Sequence, residues 1–213
     1  MAKREDGKET QHKLLNAACE IFAEKGYRNA KIADICKLAG ANVASVNYYF
    51  GDKANLYKEA WRHALETFEE PVFSDDPDIS PEDILRGYIT MLMQNITKKG
   101  KLGQFSRLYL MELVNPTGLI KDSWHEVIEP RKKRFREVIR NIIGRSADEL
   151  TVRCCELSII SQCRALVTMK RSDLEHTLNQ PLNEDFIKHL TKHIIDFSLA
   201  GIKAAGNQTC TVL

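Results

Sequence analysis

Apolar residues along this chain recur at helical spacing and hardly ever alternate. Leu14, Ala18, Ile21 and Phe22 fall at i, i+4, i+7 and i+8, one stripe on a helix that Gly26 ends. Ile32, Ile35, Cys36 and Ala39 repeat the pattern before Gly40. Asn42 can then cap a very short helix running to about Tyr49 with its side-chain oxygen. Tyr57, Ala60, Trp61, Ala64, Leu65 and Phe68 stripe a longer helix predicted to stop before Pro71. The acidic, proline-broken stretch 74–81 reads as a joint whose end, Ser80-Pro81, starts another helix. That helix carries Leu85, Tyr88, Ile89, Leu92, Met93 and Ile96 and is ended by Lys98-Lys99-Gly100. Further helices are expected over 103–114, 119–144, 147–170 and 183–205, punctuated by Asn115-Pro116, Gly144 and Asn179-Gln180-Pro181. The fold class is all-α.

The last two helices differ from the rest. Cys154, Cys155, Leu157, Ile159, Ile160, Cys163, Leu166 and Val167 make one apolar on more than one side. Phe186, Ile187, Leu190, Ile194, Ile195, Phe197, Leu199 and Ile202 do the same for the other. A surface helix needs one apolar face, so a second face implies a second partner. Ser158, Ser161, Ser198, Ala200, Gly201 and Ala204 permit close helix approach. A homodimer built as a four-helix bundle from 147–170 and 183–205 accounts for this, and two central helices of a monomer would show the same pattern.

Composition narrows the class. The 213 residues are 43% hydrophobic and 28% charged, ordinary for a globular protein. Their 31 Lys+Arg against 29 Asp+Glu leave a formal charge of +2, so any case for nucleic acid rests on local chemistry. No apolar run approaches the length of a membrane span, and the charged start Met1-Ala2-Lys3-Arg4-Glu5-Asp6 is unlike a secretory signal. The six cysteines, at 19, 36, 154, 155, 163 and 210, form no CxxC pair or disulfide framework. A cytoplasmic protein with reduced thiols is expected.

The segment from Ile32 to Lys53 carries the most chemistry. Two helices joined at Gly40 make a helix-turn-helix candidate, whose second helix would enter the major groove with its early residues on base edges. Val43, Ala44 and Ser45 are slim enough for that approach. Ser45 and Asn47 carry hydrogen-bonding groups, Asn being suited to adenine, and Val43 could touch a thymine methyl. Tyr48, Tyr49 and Lys53 suit phosphates, as does Lys31 at the start of the preceding helix. A helix–glycine–helix can also pack this way for structural reasons alone.

The run Ala39-Gly40-Ala41-Asn42-Val43-Ala44-Ser45-Val46-Asn47-Tyr48-Tyr49-Phe50, with Lys53 and Leu56 after it, resembles the signature of the TetR family of regulators. So do Ala17-Ala18, Phe22, Gly26-Tyr27 and Ile35 upstream. The likeness spans about residues 10–60. The chain departs from the family pattern in three places: Ala30-Lys31 replaces a Thr pair, Ala44 a frequent Gly, and Asn47 a common Tyr. The operator therefore cannot be copied from relatives. More weakly, Arg107-Leu108-Tyr109-Leu110-Met111-Glu112-Leu113, Glu129-Pro130 and Leu157-Ser158-Ile159-Ile160-Ser161-Gln162-Cys163 resemble a CecR-like subgroup.

The resemblance implies a three-helix DNA-binding domain over 1–55 and a helical effector-binding and dimerisation domain over 56–213. It implies a non-enzymatic regulator, most often a repressor, that holds a palindromic double-stranded operator as a homodimer and is released by a small molecule. Met91, Phe105, Tyr109, Met111, Trp124, Cys155 and Gln162 are pocket candidates, though buried Met and aromatics are more commonly core. The basic run Arg131-Lys132-Lys133-Arg134 with Arg136 reads as a solvated helix face among Glu126, Glu129 and Glu137, and Lys98, Lys99 and Lys101 as a loop. No cofactor is called for. Alternatives remain: a thiol sensor at Cys154, Cys155 and Cys163, a metal site at His189 and His193, or a helical enzyme. The metal site lacks a third ligand, and an enzyme lacks any phosphate loop or nucleophile elbow.

Overall fold

A computed structural model describes residues 2–66, 68, 73, 76, 78–97, 103–144 and 146–207, with side chains from Gly7 onward. Lys98, Lys99, Lys101, Cys210 and residues 74, 75 and 77 of the expected joint lie outside the described residues. Regular structure is helical throughout them. In chain order the helices are α1 (Ala2–Asn29), α2 (Ile32–Ala39), α3 (Val43–Phe50), α4 (Lys53–Glu66), α5 (Pro81–Thr97), α6 (Gln104–Val114), α7 (Lys121–Ser123), α8 (Glu129–Ile143), α9 (Glu149–Thr168), α10 (Arg171–Leu178) and α11 (Glu184–Gly206). The all-α expectation holds.

The chain folds as two compact units, one of residues 1–69 with 98–124, the other of 70–97 with 125–213. In the first, α1 is the central post against which α2, α4 and α6 pack. Its buried face carries Leu14, Ala18, Ile21 and Phe22, as the stripe predicts, and Cys19 beside them. These meet Leu56, Tyr57, Ala60 and Trp61 of α4 and Phe105 and Leu108 of α6, all buried. Each such aliphatic or aromatic side chain contributes about 1.5–3 kcal/mol on burial. At Gly26 the backbone of α1 leaves the helical path, with φ 70° and ψ 168°.

The second unit packs α5, α8, α9 and α11 around Leu85, Ile89, Met93, Phe135, Ile139, Val152, Ile159, Cys163, Ile194 and Ile202. Ser80 starts α5 as expected: its Oγ accepts from Asp83 N at 3.1 Å and donates to Asp83 Oδ2 at 2.7 Å. On their other sides α9 and α11 stay exposed. Leu150, Cys154, Leu157, Ser158 and Ser161 line that side of α9, and His193, Phe197, Ala200, Gly201 and Ala204 that of α11. Leu157 is 67% exposed and Phe197 60%.

Two expectations are corrected. The single helix over 119–144 is broken into α7, a π-helical turn at Trp124–Ile128, and α8. Pro130, in the first turn of α8, has no N–H to continue a regular helix from upstream, so the path widens and restarts there. The stretch 171–178, left without an element, is helix α10. Leu174 alone in it is buried, which is too little apolar signal for periodicity to register. Its anchors are local: Glu175 Oε1 accepts from Arg171 Nε at 3.0 Å and from Leu182 N at 2.9 Å.

Candidate nucleic-acid interface

The reading element is assembled by backbone chemistry that its sequence encodes. Gly40 closes α2 in the left-handed region, at φ 64° and ψ 34°, where a Cβ would be strained. Asn42 caps α3, its Oδ1 accepting from Ser45 N at 2.8 Å and from Ser45 Oγ at 3.0 Å. Val46 and Phe50 are buried and pin α3 against the unit. Those anchors turn the rest of α3 outward. Val43 is 50% exposed and Tyr48 82%, and Ala44 and Asn47 share the exposed side.

The other predicted contacts are more constrained. The Ser45 hydroxyl is engaged by Asn42, so it serves the cap as well as any base. Tyr49 is half-buried, edge-on to Tyr48 at 4.9 Å, and a Cβ placed on Gly7 would lie 3.3 Å from its hydroxyl. The start of α1 therefore lies beside this end of α3. Lys31 is exposed and precedes α2 with extended backbone and no side-chain cap bond. Lys53 rests its ammonium 4.7 Å above the Tyr27 ring, and partial burial holds its pKa below the usual lysine value. Asp52, missed in the sequence, caps α4 by accepting from Asn55 N at 2.7 Å.

Behind this surface lies a buried polar knot that sequence reading left unresolved. Glu112 of α6, 6% exposed, accepts from Tyr57 Oη at 2.9 Å, from Thr117 N at 2.8 Å and from Thr117 Oγ1 at 2.9 Å. Tyr57 packs edge-on against Phe22 at 4.9 Å and beside Tyr27 at 5.1 Å. The knot thus ties α4, the helix following the reading element, to the loop after α6. Burial, reinforced by the Glu112 charge and hydrogen bond, pushes the Tyr57 phenol well above its ordinary value. Burial lowers the pKa of Arg107, which sits in the field of Glu20.

The pocket candidates divide between the units. Phe105, Tyr109 and Trp124 join one run of rings in the first, together with Trp61 and Phe68. Met111 also belongs there, its sulfur 3.7 Å from where a Gly26 Cβ would stand. Met91, Cys155 and Gln162 belong to the second unit, where Cys155 packs on the core and Gln162 Nε2 donates to Ser158 O at 3.2 Å.

The remaining groups have structural occupations. Arg136 pairs with Glu156 at 3.2 Å, largely buried between α8 and α9, while Lys132 lies 3.8 Å from Glu129. Arg140 pairs with Glu149, and Arg134 donates to Phe73 O at 3.2 Å. Within the basic run, Arg134 and Arg136 are thus engaged inside their own unit. Burial pushes up the thiols of Cys36 and Cys155, and that of Cys163 to about 12, the opposite of what a reactive thiolate needs. His193 stacks on Phe197 with centroids 6.0 Å apart, and His189 lies beside Phe186. Among the described residues no group of three His, Cys, Asp or Glu side chains is placed to hold a metal ion. None of the described helices is long and apolar enough to cross a membrane.

Comparison with known proteins agrees with this anatomy. Residues 14–60 match the family "Bacterial regulatory proteins, tetR family". Residues 81–202, more than half of the chain, match the C-terminal domain of the HTH-type transcriptional dual regulator CecR. Among curated relatives, CecR of Shigella flexneri is 27% identical over 156 residues, 67% of this chain and 69% of that one. AcrR of the same species is 26% identical over 117 residues, and the probable regulator YttP of Bacillus subtilis 22% over 130. This chain spans only 50% of AcrR and 63% of YttP. Among solved structures, a HlyIIR mutant superposes with a TM-score of 0.61 at 19% identity, covering 89% of this chain and 97% of that one. The multidrug binding protein EbrR complexed with imidazole gives 0.52 at 17%, covering 86% and 88%. At those identities the likeness is one of fold. The two family matches, laid end to end over the reading element and the helical remainder, establish that the chain belongs to the TetR family of bacterial regulatory proteins, with a C-terminal domain of the CecR type.

Proposed function

We propose that this protein is a ligand-responsive transcriptional repressor that reads a palindromic operator as a homodimer and is released by a small molecule. The observation that carries the reading is the outward face of α3. A helix pinned by Val46 and Phe50 presents the slim Val43 and Ala44, the amide of Asn47 and the phenol of Tyr48. A slim start lets the helix backbone approach the bases, Asn47 suits adenine, and Val43 suits a thymine methyl. Lys31, Tyr48, Tyr49 and Lys53 hold phosphates and set register. Ser45 acts chiefly through the cap it shares with Asn42.

The functional division falls near residue 55, with 56–213 serving effector binding and dimerisation in a cytoplasmic protein. The second copy seats on the exposed sides of α9 and α11, where Leu150, Leu157 and Phe197 otherwise meet water. Two reading heads must match half-sites about 34–36 Å apart, so a ligand preferring a mismatched spacing lowers operator affinity. EbrR, described as multidrug binding, supports a small organic effector.

The test maps binding of the purified protein on fragmented DNA of its source organism at fixed salt. Sharp palindromic peaks that vanish with Asn47→Ala and Val43→Glu are expected. A featureless, salt-sensitive background, unchanged by both substitutions, overturns the reading.

A further inference from the structure

Five aromatic side chains of the first unit run as one ladder. Phe68 lies 4.9 Å from Phe105, Phe105 5.2 Å from Trp61, and Trp61 6.4 Å from Tyr109, centroid to centroid. Tyr109 and Trp124 then stack with planes 4° apart and centroids 5.3 Å apart. Within this ladder Trp61 is 0% exposed, and its Nε1–H has no hydrogen-bond partner. A buried donor without a partner is the expensive case in hydrogen-bond energetics, and a ligand that supplies an acceptor there recovers the loss. The half-buried Trp124 opens the π-helical turn Trp124–Ile128, a wider backbone path that recurs at functional sites.

We infer that this ladder is the effector site and that it takes a flat, non-anionic aromatic carbonyl compound, stacked on Tyr109 and accepting a hydrogen bond from Trp61 Nε1. The inference rests on the effector reading above and names its chemistry. Flatness follows from the parallel Tyr109–Trp124 pair: a planar ring enters if Trp124 withdraws by about one aromatic thickness, roughly 3.5 Å. An acceptor follows from Trp61. A negative charge is disfavoured by two repulsions, from the electron-rich ring faces and from the Glu112 carboxylate, three residues beyond Tyr109 on α6. A cation lacking an acceptor would leave the indole N–H unpaired.

Three probes separate these features: 9-fluorenone is flat with a carbonyl, fluorene is flat without one, and dicyclohexyl ketone has the carbonyl but is not flat. Each is titrated into the full-length protein by calorimetry and by tryptophan fluorescence. Fluorenone is expected to bind about ten-fold more tightly than fluorene, and the dicyclohexyl ketone least well. Trp61→Phe should bring fluorenone down to fluorene while leaving fluorene itself unchanged. Trp124→Leu, at a half-buried position and independent of how the Trp61 variant folds, should weaken both flat probes alike. Equal binding of fluorene and fluorenone, a preference surviving Trp61→Phe, or no binding of either flat probe overturns the proposal. Release from a mapped operator is scored separately. Binding of fluorenone without release would sink the effector reading, whereas release by other compounds with no fluorenone binding would sink only this chemical class.

Discussion

Replacing Tyr57 by Phe removes one hydroxyl from the buried knot and keeps the ring, so it isolates the bond to Glu112. A hydrogen bond to a charged acceptor contributes about 1.5–3 kcal/mol. Glu112 would keep Thr117 N at 2.8 Å and Thr117 Oγ1 at 2.9 Å, so the carboxylate is not orphaned and the lower end applies, about 1.5–2 kcal/mol. Glu112→Ala should cost more, about 3 kcal/mol, because it strands the phenol and the Thr117 amide together. Urea unfolding followed by tryptophan fluorescence reads this directly, since both tryptophans, Trp61 and Trp124, lie in the first unit. The pH dependence has a definite sign. The folded phenol is raised above its ordinary 10.0, so its contribution is whole below that pH and is lost as pH climbs through the folded value. Wild type should therefore lose stability above about pH 10, by up to about 1.4 kcal/mol per pH unit from this group, and Tyr57→Phe correspondingly less. A Phe variant within about 0.5 kcal/mol of wild type, or one with the same alkaline decline, would refute the assignment of the knot as a stabilising element.

Three further outcomes are expected. Lys31→Thr supplies the side-chain cap that α2 lacks, so thermal stability should rise by about 0.5–1 kcal/mol while operator affinity falls and its salt slope shrinks by about one; matching signs would contradict the dual role. Gly206→Ala places a Cβ 2.6 Å from the Ile143 backbone carbonyl, which cannot swing aside as a side chain would. A loss of about 1–3 kcal/mol with faster hydrogen exchange in the last turn of α11 should follow. Leu157→Arg alters a side chain 67% exposed in the single chain, so folding should persist while sedimentation shows monomers and operator binding collapses. A dimeric Leu157→Arg protein would move the subunit contact elsewhere.

Local chemistry whose determinants lie within a turn or two of chain was largely legible, the Asp52 cap of α4 excepted. The stripe of α1, the Asn42 and Ser80 caps and the glycine at the end of α2 are all of this kind. Their determinants act across three or four residues, the same range over which helical periodicity is read. The helix α10 failed that test because Leu174 is its single buried residue and its holding contacts reach forward to Leu182. Pro130 was visible, but its effect is a widened turn behind it rather than a clean start, which periodicity does not register.

What stayed hidden is pairing between distant parts of the chain. Tyr57 and Glu112 are separated by 55 residues, and nothing in either segment marks the other. Tyr57 reads as one more apolar stripe position, and Glu112 as one polar residue within the run Arg107–Leu113. Folding joins them because α4 and α6 both pack on α1, which brings a phenol and a carboxylate to one buried spot where each satisfies the other. The consequence reaches toward the reading surface: Tyr57 lies against Tyr27, and Tyr27 carries the ammonium of Lys53. A change that moves Glu112 therefore has a packed path to a side chain proposed to hold phosphate. If that path transmits, Glu112→Gln and Lys53→Ala should be non-additive in operator affinity, each weakening binding but the pair weakening it by less than the sum. Strict additivity would mean that the knot supports only the fold and that effector and operator communicate by another route.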